Sequence, residues 1–418
     1  MTNLFSPLSL GDLALPNRIV MAPLTRSRAT LERVPTPMMA EHYVQRAAAG
    51  LIIAEATNVV PQSIAWDCAP GIFTPAQVGA WKKVVRAVHD AGGRIALQLW
   101  HGGRVACDRS ADPKPALSPS GVNENLDAIT VWGLGPEGKF IKLKATPSRE
   151  MTIEEIRATV KAFGAAARAC REVGFDAIEL HGANGYLPHQ FLSPFLNRRS
   201  DDYGGTPEKR ARFAIEVVQA MMEHYPPARV GMRISPFSDY NGAIDPDPVP
   251  AYRFLAKTLN QHRMGWIELA DTSFWYGRFE RSRMLDLVKP VFDGKVIANG
   301  GIEPAGANEL ISQGAVDAVS FGRLWMANPD LPARIRAGGP YAKAITSAST
   351  AAAPTATTTS PPWHTSSEQR HLQASRDRAA DPAGGHGAHA RHAHAASAGR
   401  RGLERGRHGL PRRRRPRA

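Results

Sequence analysis

Cysteine is scarce in this chain of 418 residues. There are three, Cys68, Cys107 and Cys170, and none has CxxC spacing. That excludes a disulfide framework and a thiolate-based zinc or iron–sulfur site, and it suits a reducing cytoplasm. Long apolar runs are missing too. No stretch approaches about eighteen consecutive apolar residues, so no membrane-spanning helix is expected. The start, MTNLFSPLSLGDLALPNRIV, lacks a basic region followed by an apolar one, so no secretory signal is expected. Large apolar residues nearly vanish from residues 345–418, which hold five: Ile345, Trp363, Leu372, Leu403 and Leu410. Five cannot fill a core, so this tail is expected to be disordered.

Charge divides the chain at the same place. The formal net charge is +14. Residues 341–418 hold 14 Lys and Arg against 4 Asp and Glu, so +10 of it belongs to the tail. The Arg412–Arg415 run has the look of a nucleic-acid patch. The first 340 residues carry an ordinary balance, and no specific nucleic-acid partner is expected of the chain, since GC-rich codons read out of frame yield Arg by default. Seven histidines in the tail have no fixed ligand spacing, and no metal is assigned.

Eight short apolar runs occupy residues 1–340: 18–23, 51–57, 94–100, 176–181, 230–235, 266–270, 296–299 and 318–323. Each has the length of a buried strand. Helical patterns lie between most of them. Thr152 and Glu155 form a capping box. Ile156, Val160, Phe163, Ala167 and Cys170 follow at helical spacing, and Gly174 marks the stop. Residues 75–93 repeat the design, with Trp81, Val84, Val85 and Val88 on one face. Strands alternating with helices predict a parallel sheet, and eight strands in about 320 residues predict a closed (β/α)₈ TIM barrel. Residues 103–150 are rich in Pro, Gly and polar residues and read as a long loop after the third strand. The division is therefore a barrel over 1–344 and a basic tail over 345–418.

Chemistry in such a barrel belongs at the C-terminal ends of the strands. Those ends carry Pro23-Leu24-Thr25, Glu55-Ala56-Thr57, Gln98-Leu-Trp100-His101, His181-Gly-Ala-Asn184-Gly-Tyr186, Arg233, Asn299-Gly300-Gly301 and Gly322-Arg323. Polar side chains inside apolar strands are costly unless paired, so their joint placement points to a ligand in the mouth. Taken singly, each has a plainer reading: Arg323 as a loop ion pair, Asn-Gly-Gly as a turn, Trp100 as core. The loops after strands seven and eight, with glycines and a forked guanidinium, suit a phosphate.

These segments, together with Asn17-Arg-Ile-Val-Met-Ala-Pro-Leu-Thr-Arg26, Gly103-Arg104, Gln190-Phe-Leu-Ser-Pro194, Asn197, Arg199, Asp202-Tyr-Gly-Gly205 and Met232-Arg-Ile-Ser-Pro236, resemble the old yellow enzyme family over residues 3–340. The resemblance implies FMN across the mouth. Pro23, Leu24 and Thr25 would line one side of the isoalloxazine. Ala56 and Gln98 would meet its polar edge, with Arg233 near N1. Asn299, Gly300, Gly301, Gly322 and Arg323 would hold the phosphate. His181 and Asn184 would bind a substrate carbonyl or nitro oxygen, and Tyr186 would protonate the α-carbon after hydride reaches the β-carbon. Trp66, Trp100 and Trp275 would line the substrate space. NADPH or NADH would be the reductant in a ping-pong cycle acting on small activated alkenes, in a cytoplasmic monomer or homodimer. Thr25 stands where the thermophile-like branch has Cys, and Trp100 agrees with the other branch. Trp66 stands where Tyr is expected, and Lys209 replaces Asn.

Family members continue with a segment similar to Phe-Tyr-Gly-Gly-Gly-Ala-x-Gly-Tyr-Thr. Written with His at x in GC-rich codons, TTC TAC GGC GGC GGC GCC CAC GGC TAC AC, and read one base late, it yields Ser-Thr-Ala-Ala-Ala-Pro-Thr-Ala-Thr. That is the sequence of residues 349–357. A frameshift near residue 345 is the expectation. Three alternatives stand beside an active ene-reductase. One is another flavin barrel, whose relatives normally bring an iron–sulfur cysteine cluster absent here. The second is a barrel that binds FMN but has lost turnover with the aromatic segment. The third is a basic nucleic-acid-binding protein, whose salt-dependent binding would lie entirely in residues 345–418.

Overall fold

The computed structural model describes residues 2–107 and 115–343. Eight parallel strands close into a barrel: β1 Ile19–Met21, β2 Leu51–Asn58, β3 Ile95–Trp100, β4 Ala177–Gly182, β5 Val230–Ile234, β6 Trp266–Ala270, β7 Lys295–Asn299 and β8 Ala318–Phe321. They neighbour one another in chain order, and β8 pairs with β1 to close the ring. The eight apolar runs are these strands, with ends that differ by no more than two residues.

Alternation sorts their side chains into two apolar groups. Ile52, Ala54, Leu97, Leu99, Ile178, Leu180, Met232, Ile267, Val296 and Val319 pack outward, in one cluster with helix residues such as Phe163, Phe213 and Leu255. Their neighbours Val20, Leu51, Ile53, Ala96, Ala177, Trp266, Ile297 and Ala318 form a separate cluster with Leu8, Leu10, Leu13 and Leu15. Those four leucines come from an antiparallel hairpin, Leu8–Leu10 with Leu13–Leu15, which plugs the lower end. Period-2 alternation in a closed parallel barrel demands this division.

The helices form for local reasons. The helix Pro75–Asp90 (α1) starts at a Thr74/Gln77 capping box with Pro at its first position, and it buries Trp81, Val84, Val85 and Val88. The helix Ile153–Val173 (α2) starts at Thr152, whose hydroxyl accepts from the Glu155 N–H at 3.2 Å, and Glu155 accepts in return from the Thr152 N–H at 2.9 Å. Such a cap contributes about 1 kcal/mol. Gly174 ends α2 at φ +98°. Val160 is only half-buried, and Thr159 takes the inner position instead.

The segment after β3 is more than a loop. It holds a hairpin, Val131–Leu134 with Phe140–Leu143, and a parallel pair, Ala116–Ser118 with Ser148–Glu150. Four residues or fewer per strand gave too short a periodicity to read. Among the described residues no helix is long and apolar enough to cross a membrane. The tail assigned to 345–418 lies outside the described residues.

Candidate active site

The upper end of the barrel collects the polar residues. Two residues above the apolar layer, the inward positions become Gln98, Glu179, Arg233, Glu268, Asn299 and Ser320. They satisfy one another. Gln98 Nε2 donates to Glu179 Oε1 at 2.9 Å, and Trp266 Nε1 donates to Glu179 Oε2 at 2.9 Å. Arg233 pairs with Glu268 at 2.5 Å and donates to Asn299 Oδ1 at 2.8 Å. The Ser320 hydroxyl donates to Glu268. Asn299 Nδ2 donates to the Ser320 carbonyl at 2.9 Å. Trp266 can cross the barrel to Glu179 because position 231 is glycine: a Cβ there would lie 1.9 Å from the indole.

β2 loses register with β3 between Ala54 and Thr57. Such a bulge re-aims side chains at a barrel rim. Glu55, in that irregular stretch, accepts from the N–H groups of Arg26 (2.9 Å) and Ser27 (3.2 Å) and from the Tyr43 hydroxyl (3.0 Å). One buried carboxylate thereby pins the loop that presents Pro23, Leu24 and Thr25, all half-buried. Ala56 sits beside it, 3 % exposed.

Above this layer several polar groups lack protein partners among the described residues. The side chains of His181 and Asn184, and the hydroxyls of Thr25 and Tyr186, make no hydrogen bond. Asn184 is held with φ +57°, its N–H donating to Ser235 Oγ at 2.9 Å and its carbonyl accepting from Asn241 Nδ2 at 2.9 Å. Its side chain is thus fixed by its backbone and left open. His181 packs edge-on against Tyr186, centroids 4.8 Å apart, and Tyr186 packs edge-on against Trp100 at 4.9 Å. Trp66 continues the wall, edge-on to Trp100 at 6.5 Å. Trp275, half-exposed, reaches the group through Tyr240, 5.5 Å away.

Burial, and then the Arg233 charge, hold the His181 imidazole well below its ordinary range, so it is neutral. Burial pushes Tyr186 well above the usual phenol range, so its proton stays on. His101 and His189 are held down to about 3 and about 4 by burial. Each accepts a backbone N–H at Nδ1, from Gly103 (3.1 Å) and Gly185 (3.0 Å). Both bonds require the neutral ring.

Gly300 and Gly301 have φ +114° and +59°. A Cβ on Gly300 would meet the Asp271 carbonyl at 2.3 Å, and one on Gly301 would meet Phe279 at 2.9 Å. Packing alone therefore accounts for the glycine pair. The case for an anion rests on donors. The N–H groups of Gly300, Gly301 and Arg323 find no protein acceptor among the described residues. Arg323 is exposed, has no carboxylate partner there, and lies over the Phe274 ring at 5.1 Å. Free N–H groups beside a free guanidinium fit a phosphate.

Other motif residues turn out to be scaffolding. Gln190 donates to the carbonyls of Gly102 and Gly185 and accepts from the Arg104 N–H, tying the β3 and β4 loops together. Asn17 and Arg199 likewise bond backbone. Lys209 lies in the first turn of the helix Pro207–Met222, its Nζ 3.5 Å from Asp202. Glu179, Glu268, Ser320 and Tyr240 were missed in the sequence. The signal for the first two was there, since each is a lone carboxylate in an apolar strand.

Known proteins match this chain over the length of the barrel. Residues 3–341 match the model of the NADH:flavin oxidoreductase / NADH oxidase family. The chain is 36% identical over 360 residues to flavin oxidoreductase hxnT of Emericella nidulans, covering 80% of this chain and 90% of that one. It is 37% identical over 350 residues to a probable flavin mononucleotide-dependent alkene reductase of Leishmania infantum, covering 81% and 92%. A solved structure of morphinone reductase in complex with tetrahydroNAD superimposes with a TM-score of 0.80 at 38% identity, covering 87% of this chain and 98% of that one.

Proposed function

The chain belongs to the NADH:flavin oxidoreductase / NADH oxidase family, to which the old yellow enzyme resemblance pointed, and from that premise we propose that it reduces the activated C=C bond of α,β-unsaturated carbonyl or nitro compounds. FMN is the cofactor and NADPH or NADH the reductant. Bound across the mouth, FMN would take a hydride from the nicotinamide and give it to the alkene.

The remaining work falls to the residues above. Pro23, Leu24 and Thr25 would flank the ring system, with Ala56, Gln98 and Arg233 toward its polar edge. Arg323 and the N–H groups of Gly300 and Gly301, with Asn299 and Gly322 beside them, would hold the phosphate. His181 and Asn184 would donate to the substrate's oxygen and draw electron density from the double bond. Neutral His181 does this without adding a charge that would need a counter-ion. Tyr186 would hold the proton for the α-carbon. Trp66, Trp100 and Trp275 would bound the substrate space. Nicotinamide and alkene would use the same mouth in turn, giving ping-pong turnover by a monomer or homodimer.

One observation carries this reading: the side chains of His181, Asn184 and Tyr186 stand at the mouth, rigidly placed and without hydrogen-bond partners among the described residues. The test is the visible spectrum of the purified protein, recorded without oxygen, before and after NADPH and then 2-cyclohexenone. A flavin band that bleaches and returns supports the full reading. Bleaching without return supports a second one, favoured by the codon match at residues 349–357: FMN binding by the barrel over 1–344, with turnover impaired by an out-of-frame tail. Resequencing the gene checks the frame. A colourless protein would sink the cofactor assignment.

A further inference from the structure

Two buried carboxylates share one cation beneath the mouth. Glu268 has Arg233 at 2.5 Å, and the second Arg233 nitrogen is taken by Asn299. Glu179 is fully buried and, among the described residues, has no cation within ion-pair distance. Its partners are neutral: the Gln98 amide and the Trp266 indole, each at 2.9 Å. If both carboxylates were ionised, the cluster would carry one uncompensated negative charge away from water. Buried groups in that position neutralise instead.

The partners also say where a proton would sit. An indole N–H can only donate. Glu179 Oε2 is therefore the bare acceptor, and the proton belongs on Oε1, facing Gln98. A protonated Oε1 needs an acceptor. The Gln98 amide, whose Nε2 faces Oε1 in the structure, would supply one by turning over so that its oxygen faces Glu179. Its NH₂ group then turns away from Glu179 and toward the mouth.

We propose that Glu179 is a proton-holding positioning residue: as a neutral acid it sets the Gln98 amide with its NH₂ toward the cofactor, and it keeps the floor of the site uncharged when the cofactor gains electrons. This rests on the FMN reading above. The charged groups facing Glu179 are Glu268 on β6 and Arg233 on β5, and His181 stands two residues further along β4. Burial, and after it the Glu268 carboxylate, push Glu179 up to about 8. Hydride from the dihydronicotinamide would bring bound FMN two electrons and one proton, leave the nicotinamide oxidised, and add one negative charge to the site. Above that titration the Glu179 carboxylate takes a second proton from solvent. It returns that proton when hydride passes to the alkene.

The experiment is a redox titration of the FMN-loaded enzyme, followed by flavin absorbance across pH. The expected result is one proton per electron pair below about pH 8 and two above it. Titration of the reduced cofactor itself would run the other way, from two to one. Glu179→Gln should give one proton per pair throughout. A single proton at every pH in the wild type, or a rise that persists in E179Q, would overturn the proposal. The ligand-free protein gives a second readout, the infrared C=O band of a protonated carboxyl group. It should fade as pH rises through about 8 and be missing from E179Q. An unchanged spectrum in E179Q would also overturn the proposal. A flavin-free preparation counts against the functional reading, whereas bound flavin without the proton linkage counts against Glu179 alone.

Discussion

At the lower end of the barrel the inward positions are Val20, Leu51, Ile53, Ala96, Ala177, Ile297 and Ala318, closed over by four leucines of the N-terminal hairpin. Two residues further along the same strands, the inward positions are Gln98, Glu179, Arg233, Asn299 and Ser320, and beyond them stand His181, Asn184 and Tyr186. Backbone and alternation are the same at both ends. The side chains of that lower layer are apolar and need no polar partner, as expected of a layer that contributes stability. The upper end pairs its middle layer and leaves its top layer open. An open polar layer on a rigid frame is what a ligand site requires.

The largest effect should come from the top layer. Tyr186→Phe removes one hydroxyl with no hydrogen-bond partner among the described residues, so folding stability should change by no more than about 0.5 kcal/mol. Loss of the proton donor should slow alkene reduction by about 10²–10⁴-fold while reduction by NADPH keeps its rate. Stopped-flow measurement of the two half-reactions separates them. An equal loss in both would mean that Tyr186 supports the cofactor rather than the substrate.

The opposite pattern belongs below. Leu10→Ala opens a hole in the plug, where Leu10 is 1 % exposed. It should cost about 2–5 kcal/mol of stability. FMN affinity and turnover at temperatures where the chain stays folded should be unchanged. Urea unfolding beside a turnover assay checks this. A change in turnover would show that the two ends are coupled.

Arg323→Ala tests the donor side of the mouth. Its guanidinium is exposed and has no carboxylate partner among the described residues, so the ligand-free protein should keep its stability. FMN binding should weaken by about 1.5–3 kcal/mol, the range for a hydrogen bond to a charged group. Flavin fluorescence titration measures it. Unchanged affinity would return Arg323 to the role of a stacking partner for Phe274.

How much of this was visible in the sequence follows from the same contrast. The eight strands were legible because both faces are buried, which makes each a continuous apolar run. Helix α2 was legible because its cap and stop, Thr152 with Glu155 and Gly174, are local. The plug was not read, although Leu8, Leu10, Leu13 and Leu15 alternate about Gly11-Asp12, because three-residue strands give too little signal. The top layer was read by position and resemblance. The middle layer was not, because a carboxylate in a strand reveals its partner only after the barrel closes. Glu179 and Gln98 are 81 residues apart in the chain and 2.9 Å apart in space.

Acid should distinguish the two ends most gently. The apolar cluster of the plug holds no titratable side chain, and the one carboxylate of its turn, Asp12, is exposed and paired with Arg229. The loops at the mouth depend on His101 and His189, each neutral and accepting a backbone N–H. Their folded values, about 3 and about 4, lie below the ordinary histidine range. Stability from a depressed group is complete above its unfolded value and declines as pH falls through the folded one. The melting temperature should therefore hold above about pH 6.5 and fall progressively toward pH 3–4. His189→Gln should flatten that fall, because glutamine does not titrate and can still accept the Gly185 N–H. Leu10→Ala should lower the curve by the same amount at every pH. If His189→Gln kept the full acid slope, the sensitivity would have to come from other groups, and the mouth would owe less to its neutral histidines than the hydrogen bonds imply.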